Sequence, residues 1–128
     1  MNHLIDYTPQ AISQEELNDL IIDCVQDVKG KNIIKLDLTK LEDRPTDYFI
    51  ICEGDSNTQV KAITDRIFKR LKNEISTFPG VVEGQRTGLW VCLDYFNTVV
   101  HVFHRDTRNF YGLEDLWGDA ITTEYSSL

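Results

Sequence analysis

Between Leu17 and Val28 the apolar residues Leu17, Leu20, Ile21, Cys24, Val25 and Val28 recur at intervals of three and four, which places them on one face of a helix. Ser13 followed three positions later by Glu16 predicts its start, because in a capping box each side chain accepts a hydrogen bond from a backbone amide that the helix leaves free. Gly30 predicts its end, as a left-handed C-terminal cap. The period then changes. From Asn32 to Leu38, Ile34, Leu36 and Leu38 alternate with Ile33, Lys35 and Asp37, the pattern of a strand with at least one covered face. A charged stretch over 39–45 turns the chain. Tyr48-Phe49-Ile50-Ile51-Cys52 is an uninterrupted run of β-formers, as expected of a central strand buried on both faces.

Val60, Ile63, Ile67, Leu71 and Ile75 mark a second amphipathic helix running to about Phe78, where Pro79-Gly80 stops it. Ser56 and Gln59 form a second capping box at its start. Val81 to Gly84 reads as a short or edge strand. Leu89 to Asp94 and Thr98 to Phe103 read as a hairpin turning near Phe96-Asn97. Beyond Arg105, the spacing of Phe110, Leu113, Leu116 and Trp117 predicts a helical turn and a short helix broken around Gly112, after which residues 118–128 tail off. The order helix, two strands, helix, three strands, terminal helix describes one α/β unit. The first dozen residues lack periodicity and include Pro9, so residues 1–13 are expected to form a flexible arm, residues 14–120 the domain, and residues 121–128 a C-terminal tail.

Composition narrows the class. A chain of 128 residues holds one sizeable core, and no apolar run approaches the roughly 18 residues of a membrane span. Neither a basic leader nor a long apolar stretch opens the sequence, so a cytoplasmic location without membrane contact is expected. The net charge of -8 repels phosphate backbones, so no nucleic-acid specificity is expected and a basic protein partner suits the chain better. Lys61, Arg66, Lys69, Arg70 and Lys72 place a basic stretch along the second helix, which reads as a solvated face. Cys24, Cys52 and Cys92 are scattered in apolar segments and read as buried thiols, neither disulfides nor a zinc cluster.

Gly54-Asp55-Ser56 lies between a strand and a helix, where amides can hold phosphate, but the Ser56–Gln59 box already occupies them. A strand-Gly-Ser-helix arrangement is similar to that of nucleotidyltransferases, whose chemistry needs paired carboxylates for divalent ions. Asp37 and Asp94 each lack a carboxylate partner two residues away, so an enzyme or nucleotide-binding protein using Ser56, Asp37 and Asp94 is the second-ranked reading. His101 and His104 are badly spaced for one metal on an extended segment. No cofactor, metal or catalytic constellation is expected. Trp90 and Asp94 share one face of the fourth strand, with His101 and Phe103 as neighbours on the fifth. Trp90 is read either as an anchor on an open sheet face or as core filling.

The order and spacing of several pieces resemble the Iojap family, the ribosomal silencing factors. These are Asp47-Tyr48-Phe49-Ile50-Ile51 with Gly54, Ser56-Asn57-Thr58-Gln59-Val60-Lys61-Ala62-Ile63, Glu83-Gly84, Gly88-Leu89-Trp90-Val91-Cys92-Leu93-Asp94, and Val99-Val100-His101-Val102-Phe103. The last is Arg108-Asn109-Phe110-Tyr111-Gly112-Leu113-Glu114-Asp115-Leu116-Trp117-Gly118-Asp119-Ala120. The resemblance covers roughly residues 14 to 119; Asp55 stands where a small hydroxyl residue is common. It implies a mixed sheet flanked by helices, nucleotidyltransferase-like without the catalytic carboxylates. It also implies a non-enzyme that binds the large ribosomal subunit through the subunit's protein fourteen. Occupancy there would block the small subunit from joining and repress translation under nutrient limitation. The resemblance places Trp90 and Asp94 first at that contact, then His101, Phe103, Arg108 and Tyr111. Oligomeric state is left open, a homodimer of the free protein included.

Overall fold

The computed structural model describes residues 12–128. Helix α1 (Gln14–Asp27) begins at the expected capping box, with Ser13 Oγ accepting from the Glu16 amide at 3.0 Å and Glu16 Oε1 accepting from the Ser13 amide at 3.1 Å. Of the arm expected over residues 1–13, only Ile12 and Ser13 fall within the described residues, and Ser13 is the helix cap. The helix end differs from expectation. Lys29, not Gly30, has the positive φ, of 60°. The Lys29 amide donates to Gln26 O and the Gly30 amide to Val25 O, the paired bonds of a Schellman turn. Gly30 is needed for space instead: a Cβ there would meet Val25 Cγ1 at 2.3 Å.

Six strands form one mixed sheet in the order β3-β4-β5-β2-β1-β6. Strands β1 (Lys31–Asp37) and β2 (Tyr48–Gly54) pair antiparallel, and β2 runs parallel to β5 (Thr98–His104). Helix α2 (Asn57–Ile75) and the short β3 (Val81–Glu83) carry the crossover, after which β4 (Trp90–Asp94) and β5 make the expected hairpin. Strand β2 lies in the sheet interior and is buried over six of its seven residues, as its apolar run requires. Helix α2 ends at Ile75, three residues short of Phe78, because Ser76 turns left-handed (φ 52°) and Thr77 closes back on Leu71 O. The terminal helix is indeed broken at Gly112 (φ 56°), into α3 (Arg105–Tyr111) and α4 (Leu113–Leu116).

The tail expected over residues 121–128 is corrected by strand β6 (Ile121–Tyr125), which pairs antiparallel with β1 from Ile33↔Tyr125 to Asp37↔Ile121. Its residues Ile-Thr-Thr-Glu-Tyr, all but Glu124 β-formers, show no strong apolar alternation, so the free edge of β1 supplies what the local pattern does not signal.

The sheet separates two cores. On one face α1 and α2 pack Leu17, Ile21, Cys24, Val25, Val60, Ile63, Ile67 and Leu71 against Ile33, Ile50, Cys52, Val91, Leu93, Val100 and Val102. On the other face Leu36, Leu38, Phe49, Ile51 and Phe103 are covered by Leu41, Leu113, Trp117 and Ala120, with Trp90 and Val99 at the margin. That cover lies over the β1–β2 half of the sheet.

Candidate functional site

Strand alternation and register gather the site. The pairs Trp90↔Phe103, Cys92↔His101 and Asp94↔Val99 put all six residues on the outer face, the one that α1 and α2 do not cover. Val81 and Glu83 pair with Asp94 and Cys92 and continue the face outward onto β3. Gly84 makes the tight return into β4: its φ is 85°, and a Cβ there would lie 1.8 Å from Trp90 O.

Trp90 is half-buried and held on three sides. Its ring stacks on Phe103 at 4.8 Å and meets Tyr111 at the same centroid distance, while its indole N–H donates to His101 Nδ1 at 3.0 Å. The remaining side opens on a cleft of about 440 Å³ lined by Thr87, Leu89, Trp90, Asp106, Thr107, Phe110 and Tyr111. Both sequence readings of Trp90 therefore describe part of it: it packs on the core margin and borders open surface.

His101 is only 6% exposed and sits edge-on to Phe49 at 4.7 Å. Indole is a donor only, so Nδ1 must be the acceptor and the neutral ring carries its hydrogen on Nε2. Nε2 has no hydrogen-bond partner among the described residues. Burial pushes the imidazole down to about 4, which keeps it neutral near pH 7. Cys92 Sγ lies 3.3 Å from the same Nδ1. Burial raises the Cys92 thiol to about 11, and Cys24 and Cys52 to about 12, so none is a reactive thiolate near pH 7. All three cysteines are free, as expected, but Cys92 is half-buried and borders the open face.

The other site candidates separate. Asp94 stands at the hairpin end, four residues along β4 from Trp90, and its Oδ1 accepts from the Phe96 amide at 2.8 Å. That bond supports a turn in which Phe96 takes a φ of 70° and is 71% exposed. Tyr111 is exposed beside Trp90. Phe103 is fully buried and has no surface to offer. Arg108 turns inward: it pairs with Glu53 at 3.1 Å and Glu114 at 3.1 Å and donates to Asn32 O at 2.6 Å, so it ties α3 to the sheet and is not part of the exposed surface. Sequence reasoning missed Phe110 and Leu116, which are 83% and 74% exposed. It used both only as spacing marks of the terminal helix, and helices of seven and four residues are too short for such a period to define a face.

The residues of an enzyme reading do not converge. Asp37 pairs with Tyr48 at one end of β2 while Ser56 follows its other end, roughly 20 Å away at strand rise. Asp37 and Asp94 stand on strands with two others between them, roughly 14 Å apart. Ser56 Oγ accepts from the Gln59 amide, and Gln59 Oε1 reaches the Asp55 amide. His101 and His104 are divided by alternation, and His104 instead caps α3. Among the described residues no three His, Cys, Asp or Glu side chains gather for a metal ion, and no helix is long and apolar enough to cross a membrane.

Residues 11–128 match the family described as "Ribosomal silencing factor during starvation". A ribosomal silencing factor from Halalkalibacterium halodurans is 38% identical over 113 residues, 88% of this chain and 95% of that protein. A crystal structure of a Chromobacterium violaceum protein superposes with a TM-score of 0.78 at 37% identity, covering 84% of this chain and 88% of that one. More distant is a mouse protein named "Mitochondrial assembly of ribosomal large subunit protein 1", 30% identical over 77% of this chain and 44% of its own length. The sheet order, the outer-face cluster and these matches lead to one assignment: the chain belongs to the ribosomal silencing factor family.

Proposed function

We propose that this protein docks on protein fourteen of the large ribosomal subunit through the outer face of β3 and β4, and by occupying that site keeps the small subunit from joining. Translation is thereby repressed when nutrients are limiting, with no turnover of substrate. Family membership supports the ribosomal partner, and the name of the mouse relative points to the large subunit. One observation carries the choice of face: the outer cover of Leu41, Leu113, Trp117 and Ala120 packs over the β1–β2 half, while Trp90, Cys92 and Asp94 remain half-exposed on β4.

The chemistry suits a basic protein. An aromatic anchor in a packed setting carries much of the energy of an interface, and Trp90 is bordered by exposed Leu89, Phe110 and Tyr111. Asp94 and Glu83 lie on the same face, and Asp43 and Asp119 rim a second cleft beside Leu116 and Trp117. With a net charge of -8, the long-range field hastens encounter with a cationic surface.

Sedimentation of purified ribosomal subunits with this protein is the direct test. Recovery with large subunits only, together with inhibited joining in a light-scattering assay, is expected. Equal recovery with both subunits, or with neither, overturns the proposed partner.

A further inference from the structure

Resting on the docking reading above, we propose that His101 is the positioning residue of the docking face: it touches no partner but holds the Trp90 indole in the orientation in which it docks. The geometry leaves little else for His101 to do. Its ring is buried between Phe49, Phe103 and the Trp90 edge, and its one available lone pair, on Nδ1, receives the indole N–H at 3.0 Å. Folding stability does not account for a histidine here. Among the described residues the buried Nε2–H finds no acceptor, which costs stability that a phenyl ring of similar size would not. The histidine supplies what a phenyl cannot, an acceptor at the indole edge.

Among the described residues, the other aromatic rings that hold Trp90 are Phe103 and Tyr111, contacts that tolerate sliding and rotation in the ring plane. A hydrogen bond at the edge fixes that freedom before docking, so less is lost when the partner arrives. Cys92 does not replace it. Its thiol lies 3.3 Å from the same Nδ1, and its sulfur, a weak acceptor, gives the indole N–H only a weaker bond than the imidazole nitrogen does.

His101→Phe removes the acceptor and keeps the volume; His101→Asn returns an amide oxygen near the position of Nδ1. Two readouts separate positioning from docking. In the free protein, hydrogen exchange of the Trp90 indole proton, identified by its loss in Trp90→Phe, reports the bond itself. With large subunits, the dissociation rate reports its use. His101→Phe is expected to melt at or above the parent temperature, to lose indole protection, and to dissociate roughly two- to tenfold faster. His101→Asn is expected to recover protection and rate together, and in a Trp90→Phe background His101→Phe should add nothing.

Unchanged indole protection in His101→Phe overturns the inference. So does faster dissociation that persists without Trp90, because His101 would then act on docking by another route. A parent protein that does not bind large subunits overturns the docking reading and the positioning role with it, while the exchange measurement still decides whether His101 holds the indole.

Discussion

The two faces of the sheet are built on different terms. The inner face is an aliphatic core between two capped helices, and Ile63, Ile67, Leu71, Val91 and Leu93 on it are fully buried. The outer face mixes aromatic rings with a buried ion pair and a histidine whose Nε2 has no partner among the described residues, and its helical cover stops halfway across. Apolar packing dominates the first, with Asn18, Thr98 and the Tyr95 hydroxyl buried at one end of it. The second adds a charged pair and an imidazole, groups that are costly to bury and that fix orientation through their partners. On the docking reading proposed above, recognition belongs to the second.

The largest effect should come from Arg108, whose buried guanidinium ties α3 and α4 to β1 and β2. Arg108→Met leaves the nearly buried Glu53 carboxylate without its partner, and urea unfolding should show a loss of about 3 to 5 kcal/mol. An unchanged midpoint would mean that the pair does not anchor α3. On the inner face, Ile67→Ala should cost about 2 to 4 kcal/mol by opening a cavity, yet the folded fraction should still bind large subunits with the parent affinity. Weaker binding by fully folded Ile67→Ala would dissolve the division of labour between the faces.

Acid should also discriminate between them. Burial holds folded His101 near 4, against an ordinary value of 6.5 in the unfolded chain, so between those values the unfolded state binds more protons. Stability therefore falls as the pH drops from 6.5 to 4, by about 3 kcal/mol in total for this group, and is indifferent to it above 6.5. Comparing the parent with His101→Phe in urea titrations across that window isolates the contribution. Identical pH slopes would show that the imidazole is not desolvated as its 6% exposure requires.

Trp90→Ala should weaken large-subunit binding by about 2 kcal/mol, roughly thirtyfold in Kd. Its melting temperature should fall less than that of Ile67→Ala, since Trp90 is only half-buried. A loss of stability as large as a core truncation, with binding by the folded fraction intact, would assign Trp90 to the core. The smallest effect belongs to Asp94→Asn, which removes charge while the amide oxygen can still accept from Phe96. Binding should weaken by about 1 kcal/mol or less, with the difference fading as salt rises. A salt-independent loss would point to the turn and not to the charge.

Local chemistry made much of this legible from the sequence. Both long helices announce themselves through side-chain caps and apolar spacing that operate within a few residues. The run from Tyr48 to Cys52 requires an interior strand, and alternation is enough to put Trp90 and Asp94 on one face. The tertiary structure alone decided the rest, because the deciding partners are far apart in the chain. Residues 121–125 become a strand only against β1, about ninety positions earlier. Arg108 is drawn inward by Asn32 O and Glu53, 76 and 55 residues away. Lys29 takes the left-handed turn while Gly30 yields space to Val25, a matter of steric fit that the shared preference of both positions for glycine conceals. The half-covered outer face follows from where α3 and α4 come to rest, which depends on that long-range ion pair together with the packing of Leu113, Trp117 and Ala120 on the outer core.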